Sequence, residues 1–301
     1  MKRGLISIGT NSTRALVARF GDGVPETVLH RSTGTRIGEG LRERGHLEEA
    51  AMQRTLGAIA EHALAIGEHG TSFKIIATSA LRRADNEAAF EERVRALTGT
   101  GIAIISGDEE AACSFAGALS GIQAPADERF GVLDVGGGSS EYALGTKEHC
   151  ERAVSCEIGA VRLTEAFAQL GGTSGAIREH VLEDARAYAR SALEPAWELG
   201  RADRLVLVGG SATTAVSLVR GKREFFSYAE LAAADVAAWI ARLASLPLAT
   251  RKTLPGMNPQ RADILLGGLI VIDEMLRGSA GSTLLVSTSD VLLGYLLRHA
   301  D

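Results

Sequence analysis

The chain has 301 residues, of which 46% are hydrophobic and 23% charged, and its net charge is −5. These are the proportions of a globular protein long enough for two domains with ordinary cores, needing no disulfide staple. The negative balance excludes the basic field of a nucleic-acid binder, so a polyanionic substrate requires local cations or a metal.

In chain order, residues 4–8, 14–20 and 26–32 are three short apolar runs that predict an antiparallel start. Residues 47–68 predict a long helix with Leu56, Ile59, Ala63 and Ile66 on one side. An apolar strand follows from Phe73. Residues 86–97 place Phe90, Val94 and Leu97 on one helical stripe. Residues 102–105 make a short strand, and 109–119 a helix with Ala111, Phe115, Ala118 and Leu119 inward. The stretch 121–127, with Pro125, is the best linker.

The second part repeats the theme. Strands are expected at 132–135, 141–144 and 152–157, then a helix at 174–193 carrying Ile177, Val181, Leu182, Ala185, Tyr188, Ala189 and Leu193 on one stripe. A strand at 204–208 ends in a glycine turn. Helices at 228–243 and 259–276, a last strand at 283–287 and a docking helix at 290–298 complete the chain. The order β-β-β-α-β-α-β-α thus occurs twice, which predicts two sheets of similar topology with a cleft between them.

The densest chemical signal is Asp134-Val-Gly-Gly-Gly-Ser-Ser-Glu141. Three successive glycines bring backbone N–H groups close to an anion, and an acid stands on each side. A plain hairpin seldom needs three glycines in a row. No GK[ST] follows, so this is not a Walker A loop. A looser echo lies at residues 5–14, where Gly9, Thr10, Asn11 and Ser12 form the turn but Ser7 stands where the second turn has Asp134.

Four further segments carry candidate groups, each with a bland alternative. Asp108, Glu109 and Glu110 open a helix; the macrodipole favours acids there, and one of them is also a candidate general base. Arg82 offers a planar fork to a phosphate or is a surface arginine. Gly209, Gly210 and Ser211 form a strand-to-helix turn suited to phosphate, or to plain capping. Arg261, beside the helix-starting Pro259, reaches a phosphate or pairs with Asp263.

Cys113, Cys150 and Cys156 form no CxxC pair, which fits a reducing cytoplasm. The apolar start is broken at Ser7, against a signal peptide. The longest apolar run, 264–272, is about half a membrane span. The histidines show no HExxH spacing.

IGTNSTR (8–14), ATSALRRADN (77–86), IISGDEEA (104–111) and LDVGGGSSE (133–141), in this order, resemble the exopolyphosphatase / guanosine pentaphosphate phosphohydrolase (Ppx/GppA) family over almost the whole chain, in its short two-domain form. The resemblance implies an α/β fold: two ribonuclease-H-like domains of the actin-like ATPase and sugar-kinase superfamily, at 1–121 and 122–289, with the helix from about 290 docking back on the first. It implies release of terminal phosphate from inorganic polyphosphate or pppGpp with a divalent cation, usually Mg²⁺. By motif, Glu110 resembles the general base, and Asp134 and Glu141 resemble the acids that position metal and water. Gly136, Gly137, Gly138 and Ser139 resemble the phosphate cradle, opposite Thr10, Asn11 and Ser12. Arg82, Gly210, Ser211 and Arg261 complete the phosphate contacts. A homodimer is also implied; nucleic acid and membrane partners are not.

Two departures stand out. The family's usual acid is absent at Ser7, and an Arg-Glu pair near the end is replaced by Leu292 and Leu293, which suit packing of the last helix. Ser7 leaves open a hydrolase relying on Asp134 and Glu141, a hydrolase of weakened or restricted activity, and a protein that binds polyphosphate or (p)ppGpp without turnover. A kinase of the same superfamily would need an adenosine pocket near residues 209–214 and an acceptor site; no acceptor signature is present.

Overall fold

The first three apolar runs fold as an antiparallel meander of β1 (Lys2–Ile8), β2 (Thr13–Arg19) and β3 (Glu26–Thr33). The structure is a computed structural model and describes residues 1–173, 175–278 and 283–299. The first half continues with α1 (Leu41–Arg44), α2 (Glu49–Gly67), β4 (Phe73–Ala77), α3 (Ser79–Arg83), α4 (Glu87–Thr98), β5 (Ile102–Ile104) and α5 (Gly107–Leu119). The second half runs β6 (Arg129–Val135), β7 (Ser140–Thr146), β8 (His149–Cys156), α6 (Ala160–Ala166), α7 (Glu179–Trp197), β9 (Arg204–Val208) and α8 (Gly209–Arg220). It ends with β10 (Tyr228–Glu230), α9 (Ala233–Ser245), α10 (Leu248–Lys252), α11 (Leu265–Gly278), β11 (Thr283–Ser287) and α12 (Val291–Arg298).

The two sheets share one topology. The first is ordered β3-β2-β1-β4-β5, and the second, read the same way, β8-β7-β6-β9-β11-β10. In each, the leading strand pairs antiparallel with the next and parallel with the fourth. A parallel neighbour requires a crossover, which α2 supplies in the first sheet and α7 in the second.

Helices α2 and α4 cover one face of the first sheet, with Ile59, Ile66, Phe90 and Val94 packed on Ile6, Ile8 and Ile75. Its other face meets α12, whose Leu292, Leu293 and Leu296 pack on Leu5, Leu16 and Ile76. Leu292 and Leu293, where the resemblance would place a charged pair, are thus core residues. In the second sheet, α5 lies over Phe130, Val132 and Ala143 through Ala111, Phe115 and Leu119. Helices α5 and α12 therefore run side by side between the sheets.

Three expected elements differ. Residues 228–230 are an edge strand on β11, with the helix beginning at Ala233. The Tyr228 hydroxyl is anchored to the end of α5, donating to the Ala118 carbonyl at 3.1 Å and accepting from Gly121 N at 3.1 Å. Residues 259–261 form only a 3₁₀ turn, capped by Asn258, before α11. The helix expected from 174 begins at Glu179; Ser174, and residues 300–301 beyond α12, lie outside the described residues. Among the described residues, no helix is long and apolar enough to cross a membrane.

Candidate active site

The two glycine turns close in the same way. Gly9 N donates to the Ser12 carbonyl at 3.0 Å, and Gly136 N to the Ser139 carbonyl at 3.1 Å. The ladders then set Ser7 opposite Arg14 in one hairpin and Asp134 opposite Glu141 in the other. Position by position, Ser7 matches Asp134 and Arg14 matches Glu141.

The turns also touch. A Cβ on Gly137 would come within 3.0 Å of the Thr10 Cβ, and one on Gly138 within 2.8 Å of the Thr10 and Ser79 hydroxyls. Glycine is needed here for close approach between domains. Helix α6 braces the turn from behind: Ala160 N donates to the Gly136 carbonyl, and Val161 N and Arg162 N to that of Gly137.

Helix α5 delivers the acid chemistry. Its N-cap, Ser106, accepts from Glu109 N at 3.1 Å. Glu110, in the first turn, is buried and accepts from Arg82 Nη1 at 2.8 Å. One turn later, Ser114 Oγ donates to Asp134 Oδ2 at 2.7 Å. Glu141 Oε1 accepts from Ser155 Oγ at 2.7 Å. Burial and the Asp290 carboxylate push Asp134 up to about 7, opposed by Arg14. Burial raises Glu110 and Glu141 as well, and for Glu141 the neighbouring Glu110 and Asp134 add to it. Gly209, at φ +88°, packs on Asp134; a Cβ there would stand 2.7 Å from Asp134 Oδ1.

The cations converge from three elements. Arg82 on α3 is tied to Glu110 and donates also to the Ile105 carbonyl at 2.8 Å. Arg261 lies over Gly210, where a Cβ would overlap its guanidinium, and its Nη2 reaches Ser12 Oγ at 3.4 Å. Burial lowers Arg261 to about 10, which leaves it cationic at neutral pH. Arg14 on β2 ion-pairs with Asp290, the N-cap of α12.

Thr10, Asn11, Ser12, Glu110, Asp134, Gly136, Gly137, Gly138, Ser139, Gly210 and Arg261 line one cleft together with Ser7, Arg14, Thr78 and Ser79. Glu141 stands beside Asp134 on the ladder, and Arg82 behind Glu110. Ser211 is not brought in: its hydroxyl packs against Gly268 of α11, because the first turn of α8 rotates it into the core. Asp263 pairs with Arg36, not Arg261, at 2.7 Å. Sequence reasoning missed Arg14 and Asp290. Arg14 had a signal in hindsight, since it sits at the position of Glu141 in the echoed hairpin; Asp290 had none.

The donor set suits a hard divalent cation. Ser7 Oγ, Asn11 Oδ1 and Glu141 Oε2 are buried with no hydrogen-bond partner among the described residues. The charges of Glu110 and Asp134 bear on Glu141, and one or two carboxylates with hard oxygen neighbours are what Mg²⁺ takes alongside substrate phosphates and water.

A groove of about 690 Å³ opens from the cleft at Arg14, Gly209, Gly210 and Arg261. Its far wall carries Phe225, Phe226 and Tyr228.

Two α/β domains of matching topology thus face each other across a cleft closed by paired glycine turns, the frame of a two-domain phosphate-handling protein. The sequence profile of the Ppx/GppA phosphatase family matches residues 16–293, and the chain belongs to that family of hydrolases. It is 35% identical to "Exopolyphosphatase 2" of Mycobacterium tuberculosis, over 98% of this chain and 97% of that one. It is 28% identical to the "Guanosine-5'-triphosphate,3'-diphosphate pyrophosphatase" of Vibrio parahaemolyticus over 89% of this chain, spanning 53% of that longer protein. Among solved structures, an exopolyphosphatase-like protein superposes with TM-score 0.89 at 27% identity, covering 99% of this chain and 98% of the other. The Aquifex aeolicus PPX-GPPA enzyme does so with TM-score 0.81 at 25% identity, covering 99% of each.

Proposed function

We propose that the chain removes the terminal phosphate of a phosphoanhydride chain, with Glu110 taking the proton of the attacking water. The observation that carries this is the placement of Glu110: a buried carboxylate, oriented by Arg82, one helical turn from the serine that holds Asp134. Burial raises its affinity for a proton, which strengthens it as a base.

Phosphoryl transfer needs alignment and charge neutralisation more than covalent help. The backbone of Gly136, Gly137 and Gly138 and the Thr10–Ser12 turn face the transferred group from opposite domains. Arg261 has no carboxylate within ion-pair distance among the described residues, so its charge is available to phosphate oxygens. Asp134 and Glu141 would hold Mg²⁺, which when bound offsets the negative charge of the phosphates.

The groove favours a nucleoside-bearing substrate over a long bare polyphosphate. Its charged lining is balanced, with Arg14, Arg223 and Arg261 against Glu26, Glu224 and Asp290. A polyphosphate chain, charged at every unit, calls for an unbalanced basic channel; the exposed Phe225, beside the half-buried Phe226, suits a base. We therefore rank a guanosine polyphosphate first and inorganic polyphosphate second.

The test is phosphate release from pppGpp, tripolyphosphate and long-chain polyphosphate with Mg²⁺, with Glu110→Gln as control. Release that Glu110→Gln abolishes is expected. Binding without release from any of the three would overturn the hydrolase reading in favour of a sensor of these anions.

A further inference from the structure

Helix α5 has two working faces. Glu110 and Ser114 turn towards the cleft and Asp134. Glu109 and Cys113, each one residue earlier, form their own i, i+4 pair on the side of α12. Cys113 Sγ donates to Glu109 Oε1 at 3.4 Å, and His299 Nε2, from the end of α12, stands 2.9 Å from the same oxygen. The three ligand atoms all lie within 4.8 Å of one another. Cys113 is fully buried, whereas Glu109 and His299 are partly exposed, so the cluster is open to solvent on one side.

These donors differ in kind from the hard oxygens of the cleft. A thiolate with an imidazole selects Zn²⁺ over Mg²⁺. A tetrahedral zinc site with bonds of about 2.0–2.3 Å sets its donors roughly 3.3–3.8 Å apart, so side-chain rotation closes this cluster without moving either helix. A thiolate and a carboxylate together balance the charge of the ion, and the thiol proton leaves to solvent as the Zn–S bond forms. Three protein ligands leave the fourth position to water. Outer partners are in place as well. Tyr295 stacks on the His299 ring, with centroids 4.1 Å apart. Arg298 Nη2 donates to Glu109 Oε2 at 3.3 Å and its Nε to Oε1 at 3.5 Å; a metal on Oε1 would displace only the second.

We propose that Glu109, Cys113 and His299 form a zinc site behind the catalytic face of α5, which clamps the last helix of the chain to the helix that carries Glu110. The site joins residues 190 positions apart in sequence. It acts on stability and needs no substrate, so it stands whether or not the cleft hydrolyses phosphate.

The probes are Zn²⁺ and Co²⁺, added to the metal-stripped full chain under a non-thiol reductant. Co²⁺ should give a sulfur-to-cobalt charge-transfer band that Cys113→Ser abolishes and Cys150→Ser retains. Zn²⁺ at about 100 times its Kd should raise the melting midpoint by about 5 °C. His299 is partly exposed, so metal-free His299→Gln should melt like wild type. That variant should lose the zinc-dependent rise and bind zinc more than about 100-fold more weakly, beyond what losing an outer-shell partner costs. No charge-transfer band in wild type, or a band that persists in Cys113→Ser, would overturn the proposal. So would wild-type zinc affinity in His299→Gln, which would place the ion elsewhere.

Discussion

Arg82 Nη1 bridges the Glu110 carboxylate and the Ile105 carbonyl, each at 2.8 Å, and so fixes the candidate base to the link between β5 and its own helix. The bridge joins α3 to the start of α5. It also explains why a buried acid is tolerated in a first helical turn, where the macrodipole and a guanidinium both favour the ionised form.

Glu110→Gln should keep this geometry and remove the base. Turnover should fall by about 10²- to 10⁴-fold, with tripolyphosphate affinity close to wild type. Arg82→Ala should lower kcat too, and should also destabilise the fold, since it leaves Glu110 buried and unpaired. Steady-state kinetics and a thermal melt on each variant check this. A Glu110→Gln enzyme within tenfold of wild-type kcat would remove Glu110 from the mechanism.

Much of this arrangement was legible in local sequence, because its signals are local. The glycine run at 136–138 and the acids at 134 and 141 lie within one hairpin, and hairpin register brings them together. The stripe 109–119 predicted α5, and among the three acids of its first turn only the family resemblance singled out Glu110. The misses have longer-range causes. Arg14 and Asp290 meet only through the docking of α12, 276 residues along the chain. The strand at Tyr228 has too few residues to show a period, and it exists because the edge of β11 is open to it. Ser211 shares a turn with Gly210, yet helical rotation sends it to α11.

The raised acids predict a pH dependence of stability. In the folded chain Asp134 holds its proton up to about 7, whereas an unfolded aspartate has released it above about 4. Between these values the unfolded state is favoured more with each unit, so stability present at low pH is lost as pH rises towards 7 and then levels off. The melting midpoint of the metal-free protein should be lower at pH 8 than at pH 5. Asp134→Asn should flatten that slope and raise the midpoint at pH 8. An unchanged slope in Asp134→Asn would show that Asp134 titrates normally.

The groove predicts selectivity. Phe225 is 79% exposed, and the Arg220 guanidinium lies 5.1 Å over the ring of Phe226. If a base stacks here, Phe225→Ala with Phe226→Ala should raise KM for pppGpp by about 10-fold, in line with about 1–3 kcal/mol per stacked base. The same variant should affect tripolyphosphate much less. Equal losses on both substrates would argue that the aromatics only shape the cleft, and would put inorganic polyphosphate first.

The contact between α5 and α12 has no room for a side chain. A Cβ on Gly294 would overlap the Cys113 carbonyl, and one on Gly117 would overlap the carbonyl of Asp290. Both neighbours are backbone, so relief requires the helices to separate. Gly294→Ala should therefore destabilise by about 1–3 kcal/mol, as overpacking does. Because α5 carries Glu110 and α12 is capped by Asp290, the same separation should lower kcat. Gly57→Ala is the contrast: Gly57 lies on an exposed face of α2, where a Cβ would meet nothing within 4 Å, so alanine there should stabilise by about 0.4–1 kcal/mol. Denaturant melts and kcat for both variants decide the matter. A Gly294→Ala protein as stable and active as wild type would mean that α12 docks more loosely than the glycine contact requires.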